Sequence, residues 1–240
     1  MRILIGSVTP WEIREARKYG VMGIATNPPV FLGLGKPWQE VVKEAAAAMP
    51  EGEFHMQAAE DYDVQAAKEK MLEFQKLLGE RLVVKLCLTE EMLSLIPWAH
   101  ERGIRVNMTC IMTLAQAVVS MQAGADYVSI YMGRAERAGL NPVDIIEKAA
   151  KVIRHNEYDC KLIAASISDV AHFTAAAAAG ADIAATPLKV LKESIRHRVT
   201  DEGIAGFRAD CERVPGFEGP IREPRAAATP GTGNDGPVGT

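Results

Sequence analysis

The 240-residue chain is short of several things at once, and each shortage removes a class of function. It has no basic excess: 27 Lys and Arg stand against 31 Asp and Glu, for a formal net charge of −4. The basic residues are scattered and not gathered on one stripe, so neither nucleic acid nor an anionic membrane is the expected partner. The four cysteines, Cys87, Cys110, Cys160 and Cys211, fall in separate segments with no CxxC pairing. That spacing suggests neither a zinc site nor a disulfide framework, and reads instead as reduced, packed thiols. The five histidines, His55, His100, His155, His172 and His197, share no spacing, so no metal and no other cofactor is expected. No apolar run approaches the roughly 18 residues of a membrane span. No basic leader with an apolar h-region precedes the first apolar segment at Arg2, which makes cytoplasmic the expected location. What is present is a 48% hydrophobic chain, enough for one substantial α/β core. The expected ligand is a small molecule.

Short apolar runs alternate with amphipathic stretches along almost the whole sequence. Strands are expected at Arg2 to Ile5, Met22 to Ala25, Phe54 to Gln57, Leu82 to Leu86, Arg105 to Thr109, Tyr127 to Tyr131, Lys161 to Ala165 and Asp182 to Ala185. Helices are expected at Pro10 to Tyr19, Trp38 to Ala48, Asp63 to Leu78, Glu90 to Glu101, Met112 to Ala123, Pro142 to His155, Val170 to Ala179 and Leu188 to Arg196. The third of these carries Val64, Ala67, Met71, Phe74 and Leu78 at three- and four-residue spacing, a single buried stripe. Strands separated by helices run parallel, and eight such units close most economically into a (β/α)8 TIM barrel, which also removes exposed sheet edges. Gly20, Gly23, Gly103, Gly124 and Gly180 fall where left-handed helix caps are wanted. The stretches Ala123-Gly124-Ala125-Asp126-Tyr127 and Ala179-Gly180-Ala181-Asp182-Ile183 read as one helix-to-strand junction used twice. A further helix, Asp201 to Cys211, has no barrel slot. Residues 1–213 are therefore expected to be the barrel plus this additional C-terminal helix, and residues 214–240 a Pro/Gly-rich disordered tail.

The most informative single residue is Lys85, a lone charge in the apolar run Leu82-Val83-Val84-Lys85-Leu86. A buried strand keeps a lysine when something offsets the desolvation of an ammonium, or when the amine is held neutral and reactive. In a barrel of this kind chemistry is built at the C-terminal strand ends. Those ends offer Gly6 and Ser7, Thr26 and Asn27, Gln57, Lys85, Asn107 and Thr109, Tyr131 with Arg134 beyond it, Ser166 and Ser168, and Thr186. Convergent short polar groups with one amine, one phenol and one guanidinium suit a small polar substrate.

The set Thr26-Asn27-Pro28, Val83-Val84-Lys85, Thr109, Ala115-Gln116-Ala117, Ala123-Gly124-Ala125-Asp126-Tyr127-Val128, Tyr131 with Arg134, and Ala164-Ala165-Ser166 resembles, in order and spacing, the small transaldolases and fructose-6-phosphate aldolases. The resemblance covers roughly residues 1–213. It implies a (β/α)8 barrel, a Schiff base on Lys85, and proton transfer through water by Gln57, Thr109 and Tyr131. It further implies donor binding by Asn27, phosphate anchoring by Arg134 and Ser166, and a sugar or sugar phosphate as the small-molecule partner; Thr26, Asn107 and Ser168 are further substrate-binding candidates at the strand ends. It also implies a homo-oligomer, a pentamer or decamer, with the extra helix packed on a neighbour. Tyr131 stands where ordinary transaldolases carry phenylalanine, which favours an aldolase that cleaves or forms the C3 to C4 bond of a ketose. The alternatives are a transaldolase that passes the same dihydroxyacetone unit on, and a catalytically degenerate barrel kept for binding or assembly.

Two departures from the family pattern stand out. Its first strand normally ends in an aspartate, where this chain has Gly6; Ser7 is placed to bridge a water into the gap, and Glu12 lies too far along the first helix to help. Its usual basic residue two positions beyond Ser166 is Ser168 here, which leaves phosphate binding mainly to Arg134.

Overall fold

The computed structural model describes residues 1–58 and 63–217, and these divide into two compact units, Met1–Ile195 and the segment from Arg196 onward. In the first unit eight strands form a closed, all-parallel barrel in sequence order: β1 (Arg2–Ile5), β2 (Gly23–Ala25), β3 (Glu53–Gln57), β4 (Leu82–Cys87), β5 (Arg105–Ile111), β6 (Tyr127–Tyr131), β7 (Lys161–Ala165) and β8 (Ile183–Thr186). Closure comes from β8 pairing with β1 over four registers, Arg2 opposite Ile183 to Ile5 opposite Thr186. Around it lie α1 (Pro10–Arg17), α2 (Trp38–Ala48), α3 (Val64–Leu78), α4 (Glu90–Leu93), α5 (Ile96–His100), α6 (Leu114–Gln122), α7 (Met132–Arg137), α8 (Pro142–His155), α9 (Val170–Ala178) and α10 (Leu188–Ser194). The second unit contains, among its described residues, one helix, α11 (Arg198–Glu212), every residue of which is exposed. The stretch from residue 218 lies outside the described residues, as does most of the expected tail.

The elements form for local reasons that the sequence carries. In α3 the side chain of Asp63 caps the backbone N–H groups of Gln65 and Ala66, and Ala67, Met71, Phe74 and Leu78 are buried along one face, the stripe that the spacing predicts. In α6, Thr113 and Gln116 form a reciprocal capping box. The repeated junction has a shared purpose. Asp126 accepts the backbone N–H of Val106 at 2.7 Å and Asp182 that of Leu162 at 2.8 Å. In each case the carboxylate before a strand ties down the strand that precedes it. Gly20, Gly103, Gly124 and Gly180 adopt positive φ, whereas Gly23 is no cap. It lies in β2, where a Cβ would stand 2.5 Å from the carbonyl oxygen of Glu53, so the neighbouring backbone requires its bareness.

Two segments differ from expectation. The helix expected over Glu90 to Glu101 is two, α4 and α5, because Ser94 and Leu95 turn the chain before Pro97 enters the first turn of α5. The short α7 directly follows Tyr131, where no helix is expected from the sequence.

The main core lies between barrel and helices, while Leu4, Val83, Tyr127, Ile163 and Ile183 fill the inside of the barrel. Below the mouth a polar chain runs across the interior. Glu53 accepts from Arg105 at 2.7 Å and from the Tyr127 hydroxyl at 2.6 Å, and its other oxygen meets His55 Nε2 at 3.2 Å. His55 Nδ1 meets the Asn107 amide at 3.1 Å, and Ser129 donates to Asn107 Oδ1 at 2.8 Å. Burial pushes the His55 imidazole down, so the ring is neutral, with Nε2–H donating to Glu53 and Nδ1 accepting from Asn107. Satisfied in this way, the network fixes the lower barrel.

Candidate active site

Lys85 is 6% exposed. Its Nζ donates to the main-chain carbonyl of Thr26 at 2.7 Å. It lines a cavity of about 180 Å³ at the C-terminal end of the barrel, shared with Asn27, Tyr131, Arg134, Ser166 and Thr186. A second cavity of about 460 Å³ adjoins it through Asn27, Tyr131 and Arg134 and extends over Gln57, Cys87 and Cys110.

The local sequence explains these positions. Pro28 keeps Asn27 extended, at φ −152° and ψ 166°, before a single 3-10 turn, Pro28–Phe31. Asn27 Oδ1 is buried without a hydrogen-bond partner. Thr26 turns its hydroxyl to the carbonyl of His55 at 3.0 Å, so its own carbonyl is what it presents to Lys85. Arg134, in the first turn of α7, places its guanidinium carbon 5.1 Å from the Tyr131 ring centre. Ser166 follows β7 with φ at 56°, and its carbonyl accepts the N–H of Gly133 at 3.1 Å. Gly133 allows that approach, since a Cβ there would lie 2.9 Å from the Ser166 carbonyl oxygen.

Burial pushes the Tyr131 phenol up to about 12, reinforced by the negative charge of Cys110; Thr109 and Arg134 pull the other way without prevailing. Thr109 Oγ1 lies near that phenol without a hydrogen bond of good geometry. Gln57 donates to Cys87 Sγ at 3.3 Å.

Thr26, Asn27, Lys85, Tyr131, Arg134 and Ser166 thus gather at one mouth, with Gln57 at the adjoining cavity. Three expected residues line neither cavity: Thr109, which neighbours the Tyr131 phenol, and two that lie elsewhere. Asn107 is committed to His55 and Ser129 below the mouth: the hydroxyl and the imidazole lie within reach of its amide, and neither cavity does. Ser168 is exposed, with its hydroxyl between Asp169 and His172. Ser7 does not bridge into the space beside Gly6 either. It is buried and donates to Glu12, which is nearer than helix position alone suggests. The space at Gly6 is real: a methyl group added there would find the Thr186 carbonyl oxygen as its nearest neighbour, at 3.7 Å. Thr186 has a buried hydroxyl without a partner, a site feature that its strand-end position signals. The pairing of Cys87 with Cys110 has no sequence signal. Among the described residues, no group of three or more His, Cys, Asp or Glu is placed to hold a metal, and no helix is long and apolar enough to cross a membrane.

A closed parallel barrel with a buried lysine among polar groups at its C-terminal mouth has the layout of an enzyme active site, and a buried amine there suits Schiff-base chemistry. Sequence comparison names the family. The model for transaldolase/fructose-6-phosphate aldolase matches residues 7–216, and the chain belongs to that family, one of class I aldolases and transaldolases. It is 35% identical over 220 residues to a probable transaldolase of Caldicellulosiruptor saccharolyticus, covering 90% of this chain and 99% of that one. It is likewise 35% identical over 215 residues to a probable transaldolase of Clostridioides difficile, covering 88% and 97%. Among solved structures, a mandelate oxidase mutant with a monooxide FMN adduct matches with a TM-score of 0.53 at 12% identity, over 79% of this chain and 64% of that one. That likeness concerns the fold alone. Family membership implies sugar phosphates as the substrate class.

Proposed function

We propose that this enzyme is a transaldolase, with Lys85 as its Schiff-base residue and a ketose phosphate as donor. The observation that carries the reading is the buried Lys85 amine in one cavity with Asn27, Tyr131, Arg134 and Ser166. At an ordinary pKa near 10.4 only about one lysine amine in a few thousand is neutral at pH 7, so burial has a task to perform. The neutral amine attacks the ketose carbonyl, and the carbinolamine loses water to give an iminium. As the C4 hydroxyl gives up its proton to a water held near Thr109 and Gln57, the C3 to C4 bond breaks. Its electron pair moves to the iminium nitrogen, an aldehyde leaves, and an enamine remains. The enamine carbon then adds to an acceptor aldehyde, the new alkoxide takes a proton, and water hydrolyses the iminium to restore the amine. Asn27, with its unpartnered carbonyl oxygen, suits a donor hydroxyl. Arg134 and Ser166 suit the phosphate, a charged fork with a hydroxyl beside it.

Transfer, and not release, is favoured by two things. The curated relatives that match nearly end to end carry the name probable transaldolase. The Tyr131 phenol, at about 12, is a reluctant acid. An enamine that is protonated slowly waits for an acceptor. The sequence favours the opposite order, and the second reading, an aldolase, rests on the same Tyr131: a phenol 5% exposed beside Lys85 is placed to direct a water that protonates the enamine. Incubating a ketose phosphate with and without an acceptor aldehyde separates the two. A transaldolase forms product only with acceptor, whereas release of free dihydroxyacetone without acceptor decides for the aldolase.

A homo-oligomer built through α11 belongs to this reading. The helix exposes Val199, Ile204 and Phe207 at 55%, 61% and 74%, apolar surface of the kind that marks a protein contact. The family resemblance points to a ring of five or ten copies.

A further inference from the structure

Cys87 and Cys110 stand 23 residues apart in sequence, yet their sulfurs lie 3.5 Å apart. Two features of β5 bring this about. Cys87 is in register with Thr109, and the β5–β6 pairing slips between Met108 and Ile111, with Cys110 in the slip at φ 60°. A non-glycine residue with left-handed backbone is uncommon, and here it turns the thiol toward its neighbour across the strand pair. Adjacent strands lie about 4.8 Å apart, inside the range a disulfide spans, and the sulfurs need approach by only about 1.5 Å to bond. Both thiols are partly exposed and line the cavity of about 460 Å³, so a small oxidant reaches them.

We propose that Cys87 and Cys110 form a second chemical site at the barrel mouth, a dithiol that a hydroperoxide converts reversibly to a disulfide, altering the charge and hydrogen bonding of the adjoining cavity. The hydrogen bond from Cys87, with the charge of Arg134, the Tyr131 hydroxyl and, when protonated, Lys85, outweighs burial and holds Cys110 down at about 6, which supplies a thiolate at neutral pH. That thiolate attacks the peroxide O–O bond: its sulfur is oxidised to a sulfenic acid and hydroxide leaves. The Cys87 thiol then attacks the same sulfur. The S–S bond forms, the S–O bond breaks, and the oxygen departs with the thiol proton as water. Two thiols and one hydrogen peroxide thus give one disulfide and two waters. An external thiol such as dithiothreitol reverses the change by exchange.

Oxidation alters the site in two ways. It removes the negative charge that sits beside Arg134 and Tyr131, and it changes the sulfur to which the Gln57 amide donates. Both Gln57 and Arg134 line the cavity that the reacting aldehyde would occupy.

The test uses the intact chain. After exposure to hydrogen peroxide and alkylation of remaining thiols, non-reducing digestion is expected to yield one linked pair of peptides carrying Cys87 and Cys110. The pair is lighter by two hydrogens and separable by dithiothreitol. Cys87→Ser is expected to leave a sulfenic acid on Cys110 that dimedone labels, and Cys110→Ser to give no link. Absence of the link in the wild-type chain, or a link to Cys160 or Cys211 instead, overturns the proposal. This readout needs no turnover and is independent of the transaldolase assignment. The effect on the site is read by trapping donor on Lys85 with cyanoborohydride, which reduces an iminium and spares the disulfide; trapping should fall about tenfold in the linked protein and return with dithiothreitol, and trapping undiminished by the link overturns that part.

Discussion

The Nζ of Lys85 and the main-chain carbonyl of Thr26 meet at 2.7 Å, joining β4 to the end of β2 across the floor of the mouth. A carbonyl is an acceptor that cannot itself take the proton, so this contact orients the amine without removing a proton from it. The contact also points Lys85 toward Asn27, the residue that Pro28 holds extended beside the cavity. The backbone carbonyl of Thr26 thus contributes to the position of the amine whatever the nearby side chains are.

Gly133 sets the spacing between the two groups assigned to phosphate. Replacing it with alanine puts a methyl 2.9 Å from the carbonyl oxygen and 3.2 Å from the hydroxyl oxygen of Ser166. Gly133→Ala is expected to displace Ser166 from Arg134 and to raise KM for a phosphorylated donor about tenfold more than for its unphosphorylated analogue. Crowding should also cost about 1–3 kcal/mol, read by urea denaturation. Equal changes in KM for both donors would remove Ser166 from the phosphate site.

Cys110 titrates in an unusual range, and the sign is simple. Below about 6 it is a thiol and above that a thiolate, so its alkylation by iodoacetamide should rise with pH to a half-maximum near that value. Arg134→Ala removes a positive neighbour and should move the midpoint upward. A wild-type midpoint at the ordinary thiol value of about 8.5 would contradict the geometry.

Glu53 gives the lower barrel its pH dependence. Burial works to push the carboxyl up, but hydrogen bonds from His55, Tyr127 and Arg105 outweigh it and hold Glu53 at about 2. A depressed carboxylate stabilises the fold above its unfolded value, and the contribution is lost as pH falls from near 4.5 toward 2. Glu53→Gln is expected to lower stability at neutral pH by about 1.5–3 kcal/mol, the usual cost for hydrogen bonds to a charged group. The difference from wild type should vanish in acid. A difference that persists at the lowest pH would assign the loss to packing.

The exposed apolar side of α11 predicts association. The wild-type chain should run in light scattering as a ring of five or ten copies, and Phe207→Glu should lower the mass, since a charge there has no place in an apolar contact. A monomeric wild type would remove the helix from that role.

The barrel is readable in the sequence because each strand is a short apolar run bounded by turn residues, and every turn repeats the same logic. Asp126 and Asp182, for example, announce one junction twice. What the sequence does not resolve is depth and neighbourhood. Asn107 and Thr109 share a face of β5 by their spacing of two, yet only depth in the barrel decides which meets the mouth, and depth depends on how the strands stagger. In the same way Cys87 and Cys110 look unrelated in the sequence because their meeting needs both the β4–β5 register and a bulge in β5. Ser7 departs from expectation for a subtler reason: the turn from β1 into α1 brings Glu12 back to its hydroxyl.

The central claim is that Lys85 forms a covalent iminium with a ketose. Incubation with a ketose phosphate donor and borohydride, followed by peptide mass analysis, should place a stable adduct on the peptide containing Lys85 and leave the Lys85→Ala chain unmodified. A wild-type Lys85 that stays unmodified across a panel of ketose donors, or an adduct on another lysine, would contradict it.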